Sequence, residues 1–129
     1  MKIRVPSKKV CEKFHLTYEL KGAQKAVEVL TEYCGIPRMK IIVDGRRVRK
    51  GNDAEYSENT ACFTKRGLNK RNVLHELYHH IAENKELDVS ERKEEKEANM
   101  FAGEVLRMKS AGWRHAKEQN GLHRNEEEE

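Results

Sequence analysis

Cysteine is scarce and poorly placed for structural chemistry: Cys11, Cys34 and Cys62 are odd in number and make no CxxC pair. Neither a disulfide framework nor a thiolate zinc site is indicated. Long apolar runs are missing as well. No stretch approaches the length of a membrane span, and Met1-Lys2-Ile3-Arg4-Val5-Pro6 leads into charged residues without the apolar segment of a signal peptide. These absences predict a cytoplasmic protein with no membrane partner and disfavour a secreted protease. Aromatic interleaving is absent from the two basic clusters, Arg46, Arg47, Arg49, Lys50 and Lys65, Arg66, Lys70, Arg71. They read first as solvated faces, and a phosphate backbone is their secondary partner.

What the chain has in quantity is charge. Charged residues reach 37% against 36% hydrophobic, with a mean hydropathy of −0.96. Such enrichment fits either a heat-adapted surface of ion-pair networks or mobile charged termini. The net charge is +4, and four of the 22 acidic residues are the terminal Glu126 to Glu129, so the rest carries +8. A length of 129 residues fits one domain with a modest core. We place that domain at 1–112 and a charged tail at 113–129.

The chemistry concentrates in Asn72-Val73-Leu74-His75-Glu76-Leu77-Tyr78-His79-His80-Ile81, which contains HExxH. On an α-helix His75 and His79 lie one turn apart on one face, so their imidazoles can be directed at a single point. Two neutral imidazoles suit Zn²⁺, a catalytic zinc site leaves one position to water, and Glu76 is placed to act on that water as general base. The pentad alone arises by chance often enough to need support. Leu74, Leu77, Tyr78 and Ile81 supply it, since their i, i+3, i+4, i+7 spacing marks an amphipathic helix.

A third ligand is expected on a second helix. Asp88-Val89-Ser90-Glu91 reads as a capping-box start, followed by Ala98, Phe101, Ala102 and Val105 at helical spacing. Glu95 sits beside that stripe, and Asn99 one turn on along the same edge. Glu94 also falls near the stripe, whereas Glu97 projects from its side. The pattern Glu95-Lys96-Glu97-Ala98-Asn99-Met100-Phe101-Ala102, read with His75-Glu76-Leu77-Tyr78-His79, resembles the ExxAN-x-FA element of the ImmA/IrrE-like metallopeptidases. More broadly the chain resembles a minimal gluzincin over roughly residues 36 to 106. The resemblance implies that Glu95 is the third zinc ligand and that Asn99 supports a ligand histidine. It also implies a zinc metalloendopeptidase acting on a protein or peptide, latent or restricted to one intracellular target. Two departures stand out: no methionine-proline pair follows the glutamate helix, and Tyr78 occupies a position where glycine or alanine is frequent. The alternative is a non-catalytic zinc-stabilised module, with nucleic acid as its partner.

The remaining chain fits an α+β domain, with a small antiparallel or mixed sheet packed on an N-terminal helix, the HExxH helix and the glutamate helix. Phe14, Leu16, Tyr18 and Leu20 alternate like a strand, with His15 among them as a surface or core histidine. Ala23, Ala26, Val27 and Leu30 mark a helix that Gly35 ends. Strands follow at Met39 to Val43, Ala54 to Tyr56 and Thr60 to Thr64, Cys62 reading as a small buried strand residue. The last of these strands offers an edge near Thr60 to Thr64 where an extended peptide can add. Asn69 or Asn72 caps the HExxH helix. His80 points about 100° away from His79 and reads as surface or supporting. Tyr56, His80 and His115 are candidate stabilisers of an oxyanion. His115 and His123 lie in the tail, where either is a candidate inhibitory ligand.

Overall fold

The computed structural model describes residues 4–108. Its elements are α1 (Lys8–Lys21), α2 (Ala23–Cys34), β1 (Lys40–Val43), β2 (Ala54–Ser57), β3 (Thr60–Phe63), α3 (Lys70–Asn84) and α4 (Glu91–Arg107), with one 3₁₀ turn at Gly45–Arg47. The α+β class is as expected. The sheet is mixed, in the order β1-β3-β2, with β1 parallel and β2 antiparallel to β3.

The first correction falls at the N-terminus, where the strand expected around Phe14 to Leu20 is the helix α1. The alternation is a false period. Phe14 is buried, but Leu16 and Leu20 are exposed, and the inward face is completed by Cys11 and His15. Ser7 starts the helix by accepting a hydrogen bond from the Val10 N–H. His15 is a core histidine. Its Nε2 meets the Val105 carbonyl oxygen at 2.8 Å, tying α1 to the last turn of α4, where the same oxygen also accepts from the Met108 N–H.

Helix α2 ends as expected: Gly35 is left-handed at φ 69°, and the Ile36 N–H reaches back to the Thr31 oxygen. The β2–β3 hairpin turns through Glu58 and Asn59, both at positive φ, the geometry whose twist matches that of paired strands. Because β3 pairs on both sides, the open edge expected at Thr60 to Thr64 does not exist. The free edges belong to β1 and β2.

Around this sheet the core is continuous. Phe14, Leu30, Met39, Phe63, Leu74 and Phe101 are among its fully buried members. The stripe Leu74, Leu77, Tyr78 and Ile81 is wholly buried, each side chain contributing about 1.5–3 kcal/mol of transfer free energy. Asn69, rather than Asn72, caps α3 by accepting from the Asn72 N–H at 2.9 Å. Ser90 caps α4 by accepting from Lys93 N–H. The start is therefore two residues later than an Asp88 cap would give, and with lysine at the third helical position the box is not reciprocal.

Between β3 and α3 the chain passes very close to the loop before β2. A Cβ placed on Gly67 would lie 2.1 Å from the Asp53 carbonyl oxygen, whereas one on Gly103, inside α4, meets nothing within 4 Å among the described residues. In urea unfolding, Gly67→Ala is expected to destabilise the protein by about 1–3 kcal/mol, through overpacking against backbone. Gly103→Ala should stabilise it by about 0.5–1 kcal/mol, the helix-propensity difference. Equal effects of the two would contradict this packing.

Candidate metal centre

Buried on one side by the Leu74–Ile81 stripe, α3 turns His75 and His79 toward α4, where Ala98, Phe101, Ala102 and Val105 bury the opposing face. The two helices are braced by a buried bond: the Tyr78 hydroxyl donates to the Glu97 carboxylate at 2.6 Å. The Tyr78 and Phe101 rings stack obliquely beside it, 5.4 Å apart. Glu97 therefore does not project from the side of the helix as the sequence suggested. It is a core acceptor for the bulky Tyr78.

Three side chains converge between the helices. His75 Nε2 lies 3.1 Å from Glu95 Oε1, His79 Nε2 lies 2.8 Å from Glu95 Oε2, and the two Nε2 atoms are 3.3 Å apart. His75, His79 and Glu95 form a group able to hold a metal ion. For ligands about 2.0–2.1 Å from a tetrahedral ion, neighbouring donor atoms stand about 3.3 Å apart. The observed spacing matches that requirement.

The far side of each ring fixes its tautomer. His75 Nδ1 donates to Asn99 Oδ1 at 2.9 Å, and His79 Nδ1 donates to Glu94 Oε2 at 2.6 Å. With both Nδ1 atoms carrying the proton, both Nε2 lone pairs face each other and the Glu95 carboxylate. Such a set is self-repelling unless positive charge sits at its centre. The structure thus separates the three rival acids: Glu95 points into the convergence, Glu94 grips the outer nitrogen of His79, and Glu97 lies in the core. The neighbouring positions Glu94 and Glu95 were not separable by helical spacing alone.

Glu76, only 9% exposed, adjoins the centre and has no hydrogen-bond partner among the described residues. Burial raises its carboxyl above the ordinary range, against the lowering influence of His75 and His79, and Glu95 raises it further. It opens into a cleft of about 1010 Å³ between α3, α4, β2 and the loop before β2.

His80 is neither on the surface nor beside the convergence. It is fully buried, its Nε2 donates to the Pro37 oxygen at 2.7 Å, and its Nδ1 accepts from the Tyr56 hydroxyl at 2.9 Å. The Asn59 N–H also donates to the Tyr56 oxygen, at 3.0 Å, while Asn84 bridges the His80 and Asn59 oxygens. Burial pushes the Tyr56 phenol up to about 12 and lowers the His80 pKa. Both side chains hold β2 against α3, and of the two only Tyr56 lines the cleft. His115 and His123 lie outside the described residues, as does the 113–129 tail.

The loops of the two basic clusters meet at one end of the sheet, where the Asp44 N–H donates to the Phe63 oxygen. Arg46 there pairs with Asp44, Arg49 with Glu55, and Lys70 with Glu19. No described helix is long and apolar enough to cross a membrane.

Compared with family models, curated proteins and solved structures, the chain gave no match. The centre therefore rests on its own geometry. Mass spectrometry of the native protein is expected to give one divalent ion per chain, and His79→Ala or Glu95→Ala should abolish stoichiometric binding. In chelator competition, Glu94→Gln and Asn99→Ala should each weaken affinity about 10–100-fold, the usual cost of losing a group that orients a ligand. Full affinity in both would mean that the outer nitrogens do not need these partners.

Proposed function

We propose that this protein is a zinc-dependent metalloendopeptidase of minimal gluzincin type, similar to the ImmA/IrrE-like enzymes, acting on a protein or peptide. The observation that carries this reading is Glu76: a buried carboxylate with no hydrogen-bond partner among the described residues, beside a convergent His-His-Glu set and open to the cleft. A metal site that only stabilises a fold has no use for such a group. For that reason the non-catalytic zinc-stabilised module is the weaker reading.

In this proposal His75, His79 and Glu95 hold zinc, with Glu94 and Asn99 fixing the two rings. When bound, zinc supplies a Lewis acid that brings the pKa of water at the site toward about 7 and polarises the scissile carbonyl. Glu76 takes the proton of the attacking water and returns it to the leaving amine. Burial raises its pKa, which makes the carboxylate a better proton acceptor than one of ordinary pKa.

Substrate would lie along β2 rather than β3. Among the described residues the edge of β2 is free, Ala54, Glu55 and Tyr56 line the cleft, and the antiparallel register turns the backbone groups of Ala54 and Tyr56 outward. An extended peptide adding to that edge would run past Glu76.

Glu76→Gln is the decisive variant. It should keep its metal and lose about 10²–10⁴-fold in kcat on a mixed peptide library read by mass spectrometry. Undiminished cleavage by a zinc-loaded Glu76→Gln protein would refute the assigned role. Metal binding by the native chain without cleavage of any peptide would favour the zinc-stabilised module.

A further inference from the structure

Eight of the 20 residues lining the cleft are acidic, and only one, Arg49, is basic. An even spread of the chain's 22 acidic and 26 basic residues would put about three and about four in such a lining. Glu76, Glu94 and Glu95 belong to the centre already described. The other five are Asp53, Glu55, Glu83, Glu86 and Glu91. Arg49 is itself bound to Glu55 at 2.9 Å. A divalent ion and Arg49 together offset only three of the eight charges.

The surplus is placed at one end. Glu83 lies in the last turn of α3, Glu86 just beyond it and Glu91 in the first turn of α4. All three are exposed, and none forms an ion pair among the described residues. Glu83 also lies against the Tyr56 hydroxyl and helps to raise its pKa. The three do not stand alone as an acidic cluster, because they rim the same cleft into which Glu76 opens, nine-tenths buried and without a hydrogen-bond partner among the described residues.

We propose that the cleft selects cationic substrates: peptide segments bearing Lys or Arg side chains that pass between the end of α3 and the start of α4. This rests on the peptidase reading above and adds the class of substrate to it. The charge of the whole molecule sharpens the argument. Outside Glu126 to Glu129 the chain carries +8, so a cationic peptide is repelled by the protein at large and attracted by this cleft. Low-dielectric walls focus such a field, and a preference for cationic peptide cannot come from general electrostatics of the body.

The test uses the zinc-loaded, full-length Glu76→Gln protein, so that binding is read without turnover. Three fluorescein-labelled peptides of one length are compared by anisotropy, one rich in Lys and Arg, one neutral and one rich in Asp and Glu. The cationic peptide should bind at least tenfold tighter than the neutral one, and the preference should shrink as salt is raised. Adding Glu83→Gln, Glu86→Gln and Glu91→Gln together should remove most of it without altering zinc content. Changing Glu126 to Glu129 to Gln instead should leave it intact. A cationic peptide binding no tighter than the neutral one overturns the proposal, as does a preference that survives the triple change or disappears with the terminal one. Cleavage of the neutral peptide by the native protein reads the peptidase assignment separately. Cleavage without cationic preference sinks only the substrate class, and cationic preference without cleavage of any peptide sinks only the peptidase reading.

Discussion

Two imidazole lone pairs and a carboxylate directed at one point repel one another, and holding them there is the constraint on which this structure is built. Asn99 and Glu94 accept from the outer nitrogens of His75 and His79, which leaves the inner nitrogens facing the Glu95 carboxylate. The opposing force is the packing of α3 on α4. Two apolar stripes are buried between and behind these helices, and the Tyr78 to Glu97 bond fixes their mutual register from within the core. Positive charge at the convergence turns that repulsion into attraction, so metal affinity and helix packing draw on the same arrangement.

The tyrosine at position 78 illustrates how a bulky polar side chain is accommodated between helices. A tyrosine facing the core must find both volume and a partner for its hydroxyl. Phe101 bounds the volume and Glu97 accepts the proton, both one helix away. The residue that filled the space also gave α4 a reason to keep a buried acid, which otherwise would cost several kcal/mol to desolvate.

Signals confined to one helix were readable in the sequence. The spacing of His75, Glu76 and His79, the two apolar stripes and the Gly35 stop each depend on neighbours within two turns. Relations between elements were not. The alternation at Phe14 to Leu20 imitates a strand because helical residues Cys11 and His15 complete the buried face only once α4 is present. The open edge was assigned to β3 by its place before α3, but strand order depends on the long-range pairing of β1 with β3. His80 looked peripheral by its angle on the helix, and only the arrival of Pro37 and Tyr56 makes that side an interior. Charge followed the same rule: the basic clusters are contiguous in sequence and were seen, while the acidic lining gathers from the loop before β2, the end of α3 and the start of α4.

The clasp of Tyr56 and His80 joins these strands of argument. In the proposed peptidase a metal on α3 and a substrate edge on β2 would be useful only at a fixed separation, since misplacement by about an ångström can cost on the order of a hundredfold in rate. Apolar packing alone would tolerate some sliding of a four-residue edge strand. A hydrogen-bonded chain from Pro37 through His80 to Tyr56 and Asn59 does not, since any slip would leave buried polar groups unpaired. The histidine next to a proposed metal ligand thus serves position rather than chemistry. It anchors the same helix to the sheet by its opposite side, so the centre and the edge beside it move as one body.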